Sequence, residues 1–336
     1  MKRFLSLMAM VFVTAMLTGC TDTKREGFPD FVIFSTSMRD SASYSRAAAQ
    51  CGLLKDALGI AFVPEPCPSG ALAQLNLLRK GRAHLMAANA QDVMKAFRGE
   101  GPYKDMGKLP LRVLQVGGPN PAGLIVRKNS VVKTVSDLKD KRIVRLQTLP
   151  DLMMKSNAYL QANGLDPERD VRWIPANSIR EGWEMVEVNL ADAMCVSVNP
   201  SVQRGRVLKS AHDEKALSIA RTFDESLNFV KLKGGALGVP EDTYVLSSNT
   251  VFVIAENASD EMAYQIVKAS VENVEELTRK NGVFKGWTLE QAVTDAPAPY
   301  HNGAVRFYRE KGVWTETQEA MQKEFLEMVQ YARVQE

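Results

Sequence analysis

The chain is poor in the residues that build metal centres and catalytic clusters. It has three histidines, His84, His212 and His301, far apart in a sequence of 336 residues, and no closely paired cysteines. That spacing excludes the common zinc and iron–sulfur patterns, so no metal and no cofactor is expected. The phosphate loop, the Gly-x-Ser-x-Gly elbow and the dinucleotide fingerprint are all missing; Gly234, Gly235 and Gly238 do not follow a strand in the required order. Ser136 and Lys139 spell Ser-x-x-Lys without its partner motifs, and Ser136 reads better as a helix cap before Leu138. A hydrolase would need a nucleophile and a base that this sequence does not offer, and the chain is read as a non-enzyme.

Charge of one sign is lacking too. Lysine and arginine total 42 against 39 acids, and setting aside Lys2 and Arg3 leaves 40 against 39. Neither half carries a basic stripe, which excludes nucleic acid as the expected partner. Beyond the N-terminus no apolar run is long enough to span a bilayer. Trp173, Trp183, Trp287 and Trp314 are scattered and read as packing residues rather than a stacking platform.

What is present begins with an export signal. Lys2 and Arg3 precede the apolar stretch Phe4 to Leu17, too short for a permanent membrane helix, and Leu17, Thr18, Gly19 and Cys20 close it. Those four residues resemble the bacterial lipobox, which implies cleavage before Cys20 and acylation of that cysteine. Residues 20–29 then form a polar tether, and the chain is expected in the cell envelope, anchored to a bilayer through Cys20. Cys51, Cys67 and Cys195 remain. The oxidising envelope permits a disulfide, for which Cys51, on a predicted helix, and Cys67, in the loop after the next strand, are the candidates; three separate buried thiols are the alternative.

From Phe31 onward, short β-rich segments alternate with helical ones, the mark of parallel sheets wrapped by helices. Strands are predicted at Phe31–Ser35, Ile60–Pro64 and His84–Ala88, with helices at Tyr44–Ala57, Ser69 to about Gly81 and Gln91–Arg98. Leu111–Val116 and Leu124–Val126 read as two further strands joined by a Gly-Pro-rich loop. The alternation restarts with strands at Arg142–Leu146, Val171–Pro175 and Asp192–Val198, and helices at Leu152–Ala162 and Ile179–Val188. Val251–Ile254 is one more strand, and long helices follow over Asp260–Asn281 and Glu316–Ala332. Two α/β lobes are expected, with strands crossing between them as a hinge and ligand loops at the carboxyl ends of the strands.

Three stretches resemble the solute receptors of TRAP-type transporters, in the TAXI family. These are Gln74–Tyr103 (QLNLLRKGRAHLMAANAQDVMKAFRGEGPY), Leu111–Val144 with its VSDLKDKRIV ending, and Pro299–Gly312 (PYHNGAVRFYREKG). Their order and spacing carry the likeness over about residues 31–312. The resemblance implies a type II periplasmic-binding-protein-like fold of class α/β, with two lobes, each a mostly parallel sheet flanked by helices, and a ligand cleft between them. Residues 30–126 and 250–336 would form lobe 1 and 127–249 lobe 2. It further implies a monomer that captures a small organic anion, an amino acid or a dicarboxylate, and presents it to a TRAP-type permease. The loops that carry ligand contacts in the family diverge here, which leaves open a lipoprotein sensor or envelope interaction protein with an altered or lost pocket.

Carboxylate recognition calls for helix-opening N–H groups, hydroxyls and a guanidinium. Arg39, Ser41, Ser43 and Tyr44 supply these after the first strand; Arg39 paired with Asp40 in solvent is the alternative. Ser69 and Gly70 open the second helix, as a cap or as a ligand contact. Gln91 stands at the family's turn position. Gln147, Thr148 and Asn199 occupy strand ends in the other lobe.

Overall fold

The computed structural model describes residues 27–335, apart from positions 40, 68, 69, 199, 236 and 237. Cys20 and the export signal lie outside the described residues, as do Ser69 and Asn199.

Local chemistry sets the first elements. Strand β1 (Phe31–Thr36) leads to helix α1 (Ala42–Leu58), whose N-terminus is capped by Ser41: its Oγ accepts from the Tyr44 N–H at 3.0 Å. The helix buries Ala47, Cys51, Leu54 and Leu58, spaced three or four apart, and stops at Gly59 in the left-handed region at φ 68°. Then come β2 (Ala61–Pro66), α2 (Gly70–Arg79), β3 (Leu85–Asn89) and α3 (Ala90–Arg98). The long β4 (Leu111–Arg127) leads into β5 (Arg142–Leu146), α4 (Pro150–Ala162), β6 (Arg172–Ala176), α5 (Ile179–Glu187) and β7 (Ala193–Ser197). After β8 (Gly205–Val207), α6 (Glu214–Phe223) and β9 (Asn228–Leu232), the chain returns along β10 (Thr243–Ala255). Helices α7 (Asp260–Glu272), α8 (Val274–Lys280), α9 (Asn302–Glu310) and α10 (Glu316–Gln335) complete it.

The strand order is β2-β1-β3-β10-β4 and onward β7-β5-β6, with β8 beside β4 and β9 beside β10. β1, β2 and β3 pair in parallel, as do β5, β6 and β7, while β4 and β10 run antiparallel to each other and traverse both halves. The buried apolar residues fall into two separate cores. One draws on residues up to Val116 and from Val251 onward, including α7 to α9; the other lies within Ala122–Leu246. The architecture is the expected two-lobed α/β fold of type II, with helices flanking a mixed sheet whose parallel units are β1–β3 and β5–β7 rather than two mostly parallel sheets.

Three further features differ from the sequence reading. Leu111–Val116 and Leu124–Val126 belong to one continuous strand, not two joined by a loop. Gly117 is required there by close packing: a Cβ on it would lie 2.2 Å from Cε2 of the buried Trp287. The crossing lies at residues 117–121 rather than at Val126, because Leu124, Ile125 and Val126 pack into the second core. Finally, Cys51 and Cys67 form no disulfide, and with Cys195 they are buried free thiols. Cys51 sits nine residues into α1, about 13 Å along its axis, whereas Cys67 follows the carboxyl end of β2, so the pair exceeds disulfide reach.

Candidate functional site

The two lobes meet where the loops leaving the carboxyl ends of their strands face each other. Gly70 opens α2 at φ 73°, and a Cβ there would lie 2.6 Å from the Thr148 carbonyl oxygen of the other lobe. Gln91, in the first turn of α3, donates from Nε2 to the Phe223 carbonyl at 2.9 Å, again from lobe to lobe. Asn120 Nδ2 on the crossing strand donates to Asn89 Oδ1 at 3.2 Å.

Behind these contacts lies a buried polar centre. Helix α4 points Asp151, Leu152, Lys155, Ser156 and Tyr159 inward on one face, which brings an acid and a lysine four residues apart into the interior. The Lys155 side chain is fully buried; its Nζ donates to Asp151 Oδ2 at 3.0 Å and to Ser248 Oγ of β10 at 3.0 Å. From the first lobe, Asp92 on α3 accepts from Tyr103 Oη at 2.8 Å. Asp224, just past α6, takes the Ser226 N–H and hydroxyl on Oδ1, at 2.9 and 2.8 Å. Asp151 Oδ1 and Asp224 Oδ2 are buried with no hydrogen-bond partner.

The carboxylates feel one another. Burial, and secondly the charge of Asp151, push Asp92 up to about 6, against the pull of the Tyr103 hydrogen bond. Burial also raises Asp224, with Asp151 adding to the effect and Lys155 opposing it. Cys195, on the neighbouring β7, is driven up to about 12 by burial. Among the described residues no group of three or more His, Cys, Asp or Glu is placed to hold a metal ion.

The residues singled out from sequence divide between the seam and its surroundings. Gly70 meets Thr148 across the lobes and Gln91 separately reaches Phe223, although Thr148 spends its hydroxyl on the Asn177 carbonyl at 2.9 Å. Arg39 is exposed, with its guanidinium 5.7 Å from the centre of the Tyr44 ring; Ser41 caps α1, and Ser43 is half-buried in its first turn. Gln147 is exposed and lines an open trough of about 590 Å³ with Arg145, Pro150, Met153, Trp173 and Pro175. The buried centre of Asp92, Tyr103, Asp151, Lys155, Asp224 and Ser248 was not anticipated. The available signal was a lysine in register with Leu152 and Tyr159 on the apolar stripe of α4.

Comparison with known proteins gives a match to the NMT1-like family over residues 203–312. Among solved structures the chain is similar to the periplasmic aliphatic sulphonate binding protein SsuA from Escherichia coli. The two share 14% identity over 86% of this chain and 95% of that one, with a TM-score of 0.48. It is also similar to the probable amino-acid ABC transporter extracellular-binding protein ytmK from Bacillus subtilis, at 12% identity over 76% and 97%, TM-score 0.48. SsuA from Xanthomonas axonopodis pv. citri, bound to MOPS, gives 15% identity over 87% and 94%, TM-score 0.45. The fold assignment stands on the strand order, independently of these likenesses.

Proposed function

We propose that this chain is an extracytoplasmic solute receptor that closes its two lobes over a small molecule. The observation that carries the reading is that Lys155 of the second lobe bonds Ser248 on a strand that crosses between the lobes, while Asp92, buried in the first lobe, feels the charge of Asp151 from the second. Asp92 comes from the first lobe, Asp151, Lys155 and Asp224 from the second, and Ser248 from β10. A solute touching both sets favours the closed state by differential contact. Gly70, Gln91 and Thr148 then act as the points where the lobes engage. Arg39, Ser41, Ser43, Tyr44, Ser69, Gln147 and Asn199 are proposed as contacts at the mouth.

The finer assignments follow from the sequence resemblance. The chain is held to the periplasmic face of a membrane by acylated Cys20, works as a monomer, and hands an amino acid or dicarboxylate to a TRAP-type permease. The test is a thermal-shift screen of the full chain, purified in detergent, against amino acids, dicarboxylates and oxo acids. A solute at a hundred times its dissociation constant adds about 2.7 kcal/mol to stability, a clear rise in melting temperature. No rise with any of them refutes the receptor reading.

A second reading, an envelope interaction protein on the same scaffold, draws on the tightness of the seam. Gly70 abuts Thr148, and the Lys155 side chain fills the space beside Ser248. It predicts silence in the solute screen and the same melting temperature at every solute concentration.

A further inference from the structure

The outer end of the second lobe carries a cavity that the seam does not use. It holds about 310 Å³ and is lined by Lys133, Arg206, Lys209 and Glu241, with Val207 and Pro240 as its apolar wall. The start of β10 borders it at Thr243, five residues from Ser248 and so about 17 Å along the strand from the seam. Main-chain bonds fix the frame: the Lys209 N–H donates to the Lys133 carbonyl at 3.2 Å, the Val135 N–H to the Lys209 carbonyl at 2.9 Å, and the Val207 N–H to the Gly238 carbonyl at 2.9 Å. Arg206 is half-buried and held to the turn after β4 by Nη2, which donates to the Ser130 and Val132 carbonyls at 2.8 and 2.5 Å. Its Nε is buried with no acceptor.

The charges around this cavity leave cation to spare. Among the described residues neither Arg206 nor Lys133 has a carboxylate partner, whereas Lys209 Nζ meets Glu241 Oε1 at 2.9 Å with both side chains more than half exposed, a solvated pair worth little. Asp137, on the same loop as Lys133, spends Oδ2 on the Lys133 and Thr134 main-chain N–H groups, both at 2.9 Å. Three cations against one acid in the lining leave two positive charges in excess. We propose that this cavity binds a phosphate-type dianion, either inorganic phosphate or the phosphate of a monoester. Its two negative charges match that excess, and a tetrahedral group with three acceptor oxygens takes charge-assisted bonds from several sides, which a planar carboxylate does not. Val207 and Pro240 offer a surface to an organic remainder. The site lies apart from the seam and does not rest on the receptor reading.

The experiment is calorimetric titration of the full chain in non-ionic detergent at pH 7.5 with inorganic phosphate, glycerol 3-phosphate and, carried in the same micelles, phosphatidic acid; acetate is the monoanionic control. Saturable one-to-one binding of at least one phosphate probe is expected, and none of acetate. Phosphatidic acid bound at least tenfold tighter than glycerol 3-phosphate assigns the group to a lipid headgroup, and any smaller ratio assigns it to a free solute. The double variant Lys133→Gln with Lys209→Gln removes two exposed charges and leaves the core untouched. It is expected to weaken binding at least fivefold, and a smaller loss overturns the inference. Arg206→Gln, where it folds, is expected to lose at least as much. No saturable binding of any phosphate probe overturns the inference, and so does acetate bound as tightly as phosphate.

Discussion

Replacing Lys155 by methionine probes the seam directly. The side chain is fully buried and its ammonium makes two bonds of 3.0 Å, to Asp151 and Ser248. Methionine keeps most of the aliphatic volume, so the loss is chiefly electrostatic. It leaves Asp151 buried beside Asp92 and Asp224 without its cation, and breaking a buried pair from one side costs about 3–5 kcal/mol. Removing both partners, as Lys155→Met with Asp151→Leu, should recover most of that, since the uncompensated charge goes too. Urea midpoints at pH 7.5 measure each loss. At pH 5 the single variant should lose less, because Asp92 then carries a proton and one repulsive charge is gone. A loss below about 1 kcal/mol is what a solvated pair gives, and it would refute the picture of a dry seam. So would a double variant no more stable than the single one.

Asp92 titrates at about 6 when folded and 3.8 when free, so the folded state holds the extra proton between those values. Stability from this group is full below about pH 4 and falls by roughly 3 kcal/mol as pH rises to 6. Asp92→Asn should abolish that fall, and an unchanged slope of unfolding free energy against pH in the variant would refute the assignment. Gly70→Ala adds a side chain at φ 73° and 2.6 Å from Thr148, which should cost about 1–3 kcal/mol and spread the lobes. Small-angle scattering should then give a larger radius of gyration; equal radii and equal melting temperatures would count against the contact. Cys51 and Cys195 are both pushed up to about 12 by burial, leaving about one thiolate in ten thousand at pH 8. Native iodoacetamide treatment followed by mass spectrometry should leave both unmodified, and rapid labelling would show that these thiols are accessible.

Much of the fold was legible because apolar runs and glycine stops mark its parallel units clearly. Phe31–Thr36 and Arg142–Leu146 fall where their runs predict, and Gly59 and Gly99 end helices in the left-handed region. Gly117 to Pro121 misled, because the same residues that build turns also permit a strand to pass under Trp287. Helix α9 went unread: its cap is His301, whose Nδ1 accepts from the Gly303 N–H at 3.3 Å, in place of the usual hydroxyl or carboxylate. At the seam, Thr148 was reachable by topology, Gly70 as a helix opener and Gln91 through the family resemblance. Asp92, Asp151, Lys155 and Asp224 were not. In sequence an acid or a lysine reads as solvated, and only tertiary packing, of α4 against α6 and of α3 against β10 and the turn that carries Tyr103, takes these four out of water.

The crossing strands have a consequence for how such a molecule can change. Residues 122–246 leave and rejoin the rest of the chain on β4 and β10, which are hydrogen-bonded neighbours, so their entry and exit are separated by about one strand spacing of 4.8 Å. The half they form is a cassette set inside the other. A short turn from Gly118 to Asn249 should excise it, and a different cassette spliced at those two points would bring new chemistry while the flanking half, with its four closing helices, keeps its own core.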